Sequence, residues 1–334
     1  MEYYRNLTYW NKYQTFFPKE YATDAKNAPE EECWVWEKDE IHIDYYESKI
    51  ESPINVLLLH GAGGNGRMLA PYAQAIRGMG YNCMAPDLPG YGLTQSNSTD
   101  VNYETWVDCC VELVLSNFNR NQKPFVLVGA SVGGMLAYNI AARIQSMKLK
   151  SDPIIGVIAT TLADPRYPEV ARGFAKFEML NKILLPVLKR MPEKLLQFKI
   201  PIRWVTKMDK ISNNKELSAI VNGDNKAGGS RTPLGFLLSI ISVSPAVEPE
   251  SFSICPVLLA HPELDHMTPV EWSMPFFDRL QGAKEFIELK GAGHFPVEPV
   301  GFSILEKGTD LFLKSVTDDY LQGQPLSQGL GNSV

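Results

Sequence analysis

The chain has 334 residues, of which 45% are hydrophobic and 21% charged, and its net charge is −6. This length allows one large domain or two small ones, and the composition is typical of a globular protein. The acidic balance argues against general nucleic-acid binding, so we expect no nucleic-acid partner. Five cysteines, of which Cys109 and Cys110 are adjacent and the others scattered, form no C-x-x-C pair and predict neither a disulfide framework nor a metal site.

The N-terminal residues lack the apolar core of a signal peptide, and no stretch of the sequence is apolar enough to span a membrane. We therefore expect a soluble, cytoplasmic protein. Residues 1–32 are aromatic and polar without a clear period, which predicts an irregular or helical lead-in.

The first half of the chain alternates between strand and helix patterns. Residues 34–46 alternate in polarity, which predicts an antiparallel hairpin at a sheet edge. Short apolar runs at 55–60 and 82–86 predict buried strands, and the segments 67–79 and 102–118 predict helices. Strands that alternate with helices predict an α/β fold with a mostly parallel central sheet flanked by helices.

The alternation stops after a sixth strand, which we predict at 154–160. Residues 164–250 have a mostly helical pattern with frequent prolines, which predicts a helical lid inserted after the sixth strand. The pattern then resumes with a strand at 256–261, a helix at 270–280, a strand at 284–289 and a helix at 298–318. The predicted division is a first core part at 1–163, the lid at 164–250, a second core part at 251–322 and a flexible tail at 323–334.

The stretch Gly-Ala-Ser-Val-Gly around Ser131 matches the pattern G-x-S-x-G. An apolar, β-branched run at 125–128 precedes it and a helical pattern at 135–144 follows it, which is the context of a nucleophile elbow. Small residues on both sides let the strand and the helix pass closely. Ser131 would stand near a helix N-terminus, where backbone N–H groups stabilise a developing negative charge.

A serine nucleophile needs a base, and the base needs an acid that orients it. Among the five histidines, His294 lies in a Gly-Ala-Gly-His loop after the last predicted strand and can reach back over the sheet edge. Asp265 follows a strand and precedes a helix, which gives the chain order Ser, Asp, His. Glu263 and Asp164 are alternative acids, and Asp265 could instead cap a helix N-terminus. His266 is expected to be an ordinary loop residue.

These motifs together resemble the α/β-hydrolases with a lid domain, of the serine hydrolase type that includes monoacylglycerol lipases, lysophospholipases and carboxylesterases. The resemblance covers roughly residues 50–320 and is weakest in the lid. It rests on five pieces of sequence: His60-Gly61-Ala62-Gly63-Gly64, Asp87-Leu-Pro-Gly-Tyr-Gly92, Gly129-Ala-Ser-Val-Gly-Gly134, Asp265-His-Met-Thr-Pro269 and Gly291-Ala-Gly-His294.

The resemblance implies an α/β-hydrolase fold and an oxyanion hole made of the backbone N–H groups of Val132 and Ala62, with Gly63 as the alternative donor. The glycine loop that contains Gly61 and Gly63 is expected to face the substrate. His60 is expected to brace this loop rather than to take part in chemistry.

The implied function is hydrolysis of a carboxylic ester, either small or an acyl-lipid ester, through an acyl-enzyme intermediate and without a cofactor or metal. Cleavage of an amide or a carbon–carbon bond on the same triad remains an alternative, and so does a non-catalytic ligand receptor on this fold. Nothing in the sequence marks an oligomer interface.

The predicted lid is strongly basic. Residues 166–215 contain twelve Lys or Arg and four Asp or Glu, in a chain whose net charge is −6. One interpretation is weak contact with an anionic membrane surface or with an acidic lipid. The other is a solvated helical face with lysine stems over a core, and the prolines of the segment favour this second interpretation.

Overall fold

The apolar runs of the chain form a central sheet of eight strands, in a computed structural model that describes residues 2–24, 26–97, 101–173 and 190–323. The strands in chain order, two of which lie outside this sheet, are β1 (Glu30–Trp36), β2 (Asp39–Tyr46), β3 (Asn55–Leu59), β4 (Asn82–Pro86), β5 (Phe125–Gly129), β6 (Ile154–Ala159), β7 (Lys199–Pro201), β8 (Arg231–Pro233), β9 (Val257–Pro262) and β10 (Lys284–Leu289).

The order of strands in the sheet is β1-β2-β4-β3-β5-β6-β9-β10. β2 pairs antiparallel with β1 and with β4, and the remaining neighbours pair in parallel. The mostly parallel sheet predicted from the sequence is therefore confirmed. The antiparallel hairpin of β1 and β2 lies at one edge, as predicted.

Helices cover both faces of the sheet. They are α1 (Ala70–Gly78), α2 (Tyr103–Asn121), α3 (Val132–Ser146), α8 (Met274–Arg279) and α9 (Pro299–Leu321), and the described part of the segment between β6 and β9 adds α4 (Pro168–Gly173), α5 (Glu193–Leu196), α6 (Lys215–Gly223) and α7 (Leu234–Ile240). Leu57 and Leu59 of β3 belong to the core cluster that contains residues of α2 and α3. Val56 and Leu58 belong to the cluster that contains residues of α1 and α9. Successive side chains of a strand point to opposite faces, so both faces are buried.

Between β6 and β9 the chain leaves the sheet. The described part of this segment contains α4 to α7 and the antiparallel pair of β7 with β8. The sequence predicts a mostly helical segment here and does not show the pair of β7 with β8, because three-residue strands are too short to show an alternating pattern. Several features of the sequence analysis lie outside the described residues: the lid cations Lys176, Lys182 and Lys189, and residues 324–334 of the predicted tail.

Residues 2–24 form the N-terminal strap, which consists of short 3₁₀ turns that lie on the core. The strap buries five aromatic side chains: Tyr4, Tyr9, Trp10, Tyr13 and Phe17. Trp10 and Tyr13 stack with ring centroids 5.2 Å apart. Burial of large aromatic rings fixes this otherwise irregular segment in place.

Among the helices that the structure describes, none combines the length and the apolar character that crossing a lipid bilayer requires.

Candidate active site

Ser131 lies at the sharp turn between β5 and α3. Its backbone has φ 57° and ψ −127°, which is a strained conformation for a residue with a side chain. A Cβ atom added to Gly129 would lie 1.9 Å from the Gly133 carbonyl oxygen, so the two glycines allow strand and helix to meet. The Ser131 amide donates a hydrogen bond to Thr160 Oγ1 at 2.9 Å, which ties the turn to the end of β6.

Asp265 and His294 meet at the same edge of the sheet. Asp265 follows β9 and His294 follows β10, and these strands are parallel neighbours. His294 Nδ1 lies 2.8 Å from Asp265 Oδ2. A proton on Nδ1 is donated to this carboxylate, which leaves the lone pair of Nε2 available as a base. His294 Nε2 is buried and has no hydrogen-bond partner within the described ranges.

Thr268 supports this Asp–His pair, and our sequence analysis did not single it out. Its hydroxyl donates to Asp265 Oδ2 at 2.9 Å and lies 3.1 Å from His294 Nδ1. The amides of Met267 and Thr268 both donate to Asp265 Oδ1 at 2.8 Å. The Asp-x-x-Thr spacing is the signal for such a local capping turn. Asp265 therefore caps its own loop rather than a helix N-terminus, and it also binds the histidine.

The Asp265 carboxylate is held in its charged form. Burial opposes ionisation, but the attraction of His294 and the hydrogen bonds from His294 and the loop amides lower the pKa of Asp265 to about 2. An ionised carboxylate beside Nδ1 stabilises the imidazolium that forms when Nε2 accepts a proton.

The predicted oxyanion donors lie at the end of β3 and at the start of α3. Val132 is the first residue of α3, so its amide has no acceptor within the helix. Ala62 lies in a turn closed by a 3.0 Å hydrogen bond from the Gly64 amide to the Gly61 carbonyl. The Gly63 amide instead faces the buried Tyr91 hydroxyl, and this contact favours Ala62 over Gly63 as the second donor.

Gly61 lies directly against the serine. A Cβ atom at Gly61 would lie 2.9 Å from Ser131 Cβ and 3.3 Å from its Oγ, so a larger residue would displace the hydroxyl. Gly63 has φ +75°, and a Cβ atom there would lie 2.7 Å from Met208 Cε in the lid. Gly61 therefore lies beside the Ser131 hydroxyl, and Gly63 lies against Met208 of the segment between β6 and β9.

His60 holds the glycine loop, as expected for a bracing residue. One ring nitrogen, Nδ1, lies 2.8 Å from the Gly61 carbonyl, and Nε2 accepts a hydrogen bond from the Leu88 amide at 3.0 Å. Burial lowers the pKa of His60, which favours the neutral ring that this pair of contacts requires.

A narrow cavity lined mainly by apolar side chains lies beside Ser131. Both Ser131 and Thr268 line it, so the nucleophile candidate and the residue that contacts the Asp–His pair face one space. The remaining lining residues are Tyr103, Val132, Met135, Thr161, Ala163, Pro165, Ile240 and Val243. These side chains give the space next to the serine hydroxyl an apolar lining.

Comparison with protein families gives an assignment for this arrangement. Residues 56–300 match the sequence model described as the alpha/beta hydrolase family. The chain belongs to the alpha/beta hydrolase family. The match covers the sheet from β3 onwards, the elbow, the lid and the loops of Asp265 and His294, and it confirms the resemblance found in the sequence.

Solved structures with similar folds include other alpha/beta hydrolases. Monoglyceride lipase from Saccharomyces cerevisiae superposes with a TM-score of 0.70 at 16% identity, over 88% of this chain and 98% of that one. A carboxyl esterase from Bacillus coagulans gives 0.68 at 18% identity, over 87% and 99%. At these identities the likeness establishes the shared fold.

Curated relatives match a shorter part of this alpha/beta hydrolase. A probable protein phosphatase methylesterase 1 of Caenorhabditis elegans is 32% identical over 131 residues, which is 36% of this chain and 35% of that protein. Protein phosphatase methylesterase 1 of Mus musculus is 32% identical over 121 residues, 36% of this chain and 31% of that protein. The chain thus spans about a third of the length of the curated relatives it matches.

The residues that the sequence offered beside Asp265 and His294 have other surroundings in this alpha/beta hydrolase. Asp164 binds Arg166, with Oδ2 and the guanidinium 2.7 Å apart. Glu263 accepts from the Gly291 amide at 2.8 Å. His266 is exposed at the surface. Neither alternative acid has a hydrogen bond to His294 among the residues that the structure describes.

One buried cluster offers ligand types that metals use. Glu31, His42 and Asp44 each place one donor atom within 4.8 Å of the others. The Arg67 guanidinium, however, already binds Glu31 at 2.5 Å and Asp44 at 2.6 Å. Burial opposes a charge on His42, but hydrogen bonds and attraction from carboxylates, that of Asp87 above all, raise its pKa to about 9. Two internal cations therefore balance these carboxylates, and we assign the cluster a structural role.

Proposed function

We propose that this chain is a serine hydrolase that cleaves carboxylic esters through an acyl-enzyme intermediate. The observation that carries the proposal is the Asp265–His294 pair, whose free Nε2 lies at the sheet edge where the strained elbow presents Ser131. Nucleophile, base and orienting acid are the three parts that such chemistry needs.

The proposed reaction has two half-reactions. In the first, His294 Nε2 takes the Ser131 proton while the hydroxyl oxygen attacks the ester carbonyl, and the amides of Ala62 and Val132 stabilise the oxyanion. The alcohol leaves with the proton from His294. In the second, His294 removes a proton from water, which attacks the acyl-enzyme, and the acid and free Ser131 are released.

Two observations support ester cleavage in particular. The curated relatives are named methylesterases, although they match only part of this chain. The cavity beside Ser131 is lined mainly by apolar side chains, which suits a small acyl or alkyl group. Cleavage of an amide or carbon–carbon bond, and a receptor without turnover, are outcomes that the experiment distinguishes.

The test is hydrolysis of p-nitrophenyl esters of increasing acyl length by the wild-type protein and by Ser131→Ala. We expect turnover of short esters that disappears in the variant, together with labelling of Ser131 by a fluorophosphonate. Labelling without ester turnover would mean an active triad that cleaves another bond. Absence of both turnover and labelling would refute the enzyme proposal and leave the receptor.

A further inference from the structure

A short segment of the lid borders the candidate active site, and we call residues 207–213 the rim segment. Met208 Cε lies 2.7 Å from the position that a Cβ atom of Gly63 would take. The segment therefore touches the glycine loop, which we call the oxyanion loop because it contains Ala62, the proposed oxyanion donor. The Ile211 carbonyl accepts a 2.8 Å hydrogen bond from the amide of Phe295, the residue after His294. The rim segment therefore contacts both loops that carry the proposed chemistry.

Lys207 begins this segment and points to a third loop. Its ammonium lies 5.3 Å from the centre of the Trp272 ring, in the turn that follows the Asp265–Thr268 loop. Lys207 is half-buried. Within the described ranges, no carboxylate oxygen lies within 4.0 Å of its ammonium. A lysine over an aromatic ring retains N–H groups that can bind an anion.

The segment of the chain that contains Lys207 is also rich in basic residues. Residues 190–231 of the lid contain nine Lys or Arg and four Asp or Glu, in a chain with a net charge of −6. Some of these cations hold the lid together, as when the Arg203 guanidinium donates to the Asn222 carbonyl at 2.8 Å. An excess of one charge at the mouth of a cleft raises the local concentration of oppositely charged substrates.

We propose that Lys207 is a specificity-determining residue that binds an anionic group, a carboxylate or a phosphate, carried by the ester substrate. This inference rests on the proposed function. The apolar cavity beside Ser131 takes one end of the ester, and the anionic group lies on the end that extends from the scissile carbonyl towards the rim segment. The preferred substrate is accordingly an ester with one apolar and one negatively charged end.

An anionic membrane is a different partner for the same charges. Phe198 and Trp204, both 62% exposed, lie in the lid among basic residues, and such a surface can also contact lipid. The contact of Lys207 with Trp272 and its half-buried position favour a group that enters the site over a lipid surface that stays outside it.

The experiment compares kcat/KM for three methyl esters of similar length: methyl hexanoate, monomethyl adipate and the corresponding ester that ends in a phosphate. Methanol release is measured with wild-type protein and with Lys207→Met, which keeps an apolar stem on Trp272 but removes the charge. We expect kcat/KM for the anionic esters to fall roughly tenfold or more in the variant, because a hydrogen bond to a charged group is lost. For methyl hexanoate we expect less than about a twofold change, since that ester has no charged end.

Two further variants and one salt series serve as controls. Lys207→Arg should retain most of the wild-type activity on anionic esters. Lys210→Met, at an exposed lysine of the same segment, should leave that activity at the wild-type value. The preference for anionic esters should shrink at 1 M salt, where the Debye length is about 3 Å. The ratio of the adipate to the phosphate ester tells which anion the subsite prefers.

The outcomes separate this proposal from the proposed function. If Lys207→Met lowers kcat/KM equally for neutral and anionic esters, Lys207 only positions the lid and the proposal is wrong. The proposal is also wrong if Lys207→Met leaves kcat/KM for all three esters unchanged and lowers only the binding of the protein to phosphatidylserine vesicles, since the partner is then a membrane. If wild-type protein cleaves no ester, neutral or anionic, the proposed function fails and this inference fails with it.

Discussion

Asp265 and Asp224 are both buried carboxylates in loops, but their partners lie at very different distances along the chain. Asp265 binds amides of its own loop and His294, which is 29 residues away. Asp224, in the lid, accepts from the Tyr13 hydroxyl at 2.5 Å, 211 residues away, and from the Lys12 ammonium at 2.9 Å. The first carboxylate belongs to a compact sequence motif, whereas the second joins segments that no motif connects.

The hydrogen bonds of Asp224 and of its partners form what we call the strap junction, made of Tyr9, Lys12, Tyr13, Asn65, Asp224 and Lys226. Tyr9 also hydrogen-bonds to Asp224, and its hydroxyl accepts from Asn65 Nδ2 at 2.7 Å. Asn65 donates in addition to the Lys226 carbonyl at 2.9 Å. The junction therefore joins the N-terminal strap, the lid and the end of the oxyanion loop. We therefore expect Asp265 to take part in the chemistry and Asp224 to stabilise the fold.

Asp265→Asn tests the chemical half of this comparison and should have the largest effect. The amide of asparagine can donate to His294 Nδ1 and would then favour the tautomer whose Nε2 carries a proton and cannot act as a base. We expect kcat to fall about 10⁴-fold, the loss seen when the equivalent change is made in a serine protease triad. Steady-state hydrolysis of the best p-nitrophenyl ester measures it.

A matched control for this variant is Glu263→Gln, two residues earlier and exposed. Its kcat should stay within about twofold of the wild-type value, because its contacts go to Lys290 and Gly291. A loss below tenfold in Asp265→Asn would show that Asp265 does not orient the base.

Asp224→Asn tests the structural half. Removing the charge weakens the hydrogen bonds from Tyr13 and Lys12, and hydrogen bonds to charged groups contribute about 1.5–3 kcal/mol each. We expect the free energy of unfolding, measured with denaturant, to fall by about that amount, while kcat of the remaining folded protein changes less than about threefold. Tyr13→Phe should shift stability in the same direction with the carboxylate intact.

Glu216→Gln is the control in the same lid, since this side chain is exposed on α6. Its effect on the free energy of unfolding should stay within about 0.5 kcal/mol. If Asp224→Asn lowered kcat as far as Asp265→Asn and left stability unchanged, the division between chemistry and stability would be wrong.

The parts of the molecule that could be predicted from sequence are those that short stretches determine. The β-branched run before Ser131 and the glycines around it predict the elbow because strand, turn and helix are adjacent in the chain. Asp265 and His294 could be selected because each follows a buried strand, and parallel neighbouring strands end at the same sheet edge.

The remaining parts depend on contacts between distant segments. The strap aromatics show no period, because each ring is fixed by a different partner, such as Phe295 for Phe17 with centroids 5.5 Å apart. The pairing of β7 with β8 joins three-residue strands that are about 30 residues apart in sequence. Thr268 was recognisable only as part of a capping pattern, and its contact with His294 requires the folded sheet.

The pH dependence of the free energy of unfolding tests the same two carboxylates, and its expected effect is smaller. The pKa of Asp265 falls from 3.8 to about 2, so its ionised form stabilises the fold above pH 4, and this contribution is lost as the pH falls from about 4 to about 2. It amounts to at most about 2.5 kcal/mol, at 1.36 kcal/mol per pKa unit. In Asp265→Asn the free energy of unfolding should therefore depend less on pH over this range.

The partners of Asp224 also lower its pKa, so Asp224→Asn should flatten the same acid range. Because the two carboxylates share no partner in the part of the chain that the structure describes, the double variant should show the sum of the two single effects within about 0.5 kcal/mol. Denaturant unfolding at pH 2 to 6 measures this. A clearly non-additive result would mean that the strap junction and the Asp265–His294 pair are coupled through the rim segment.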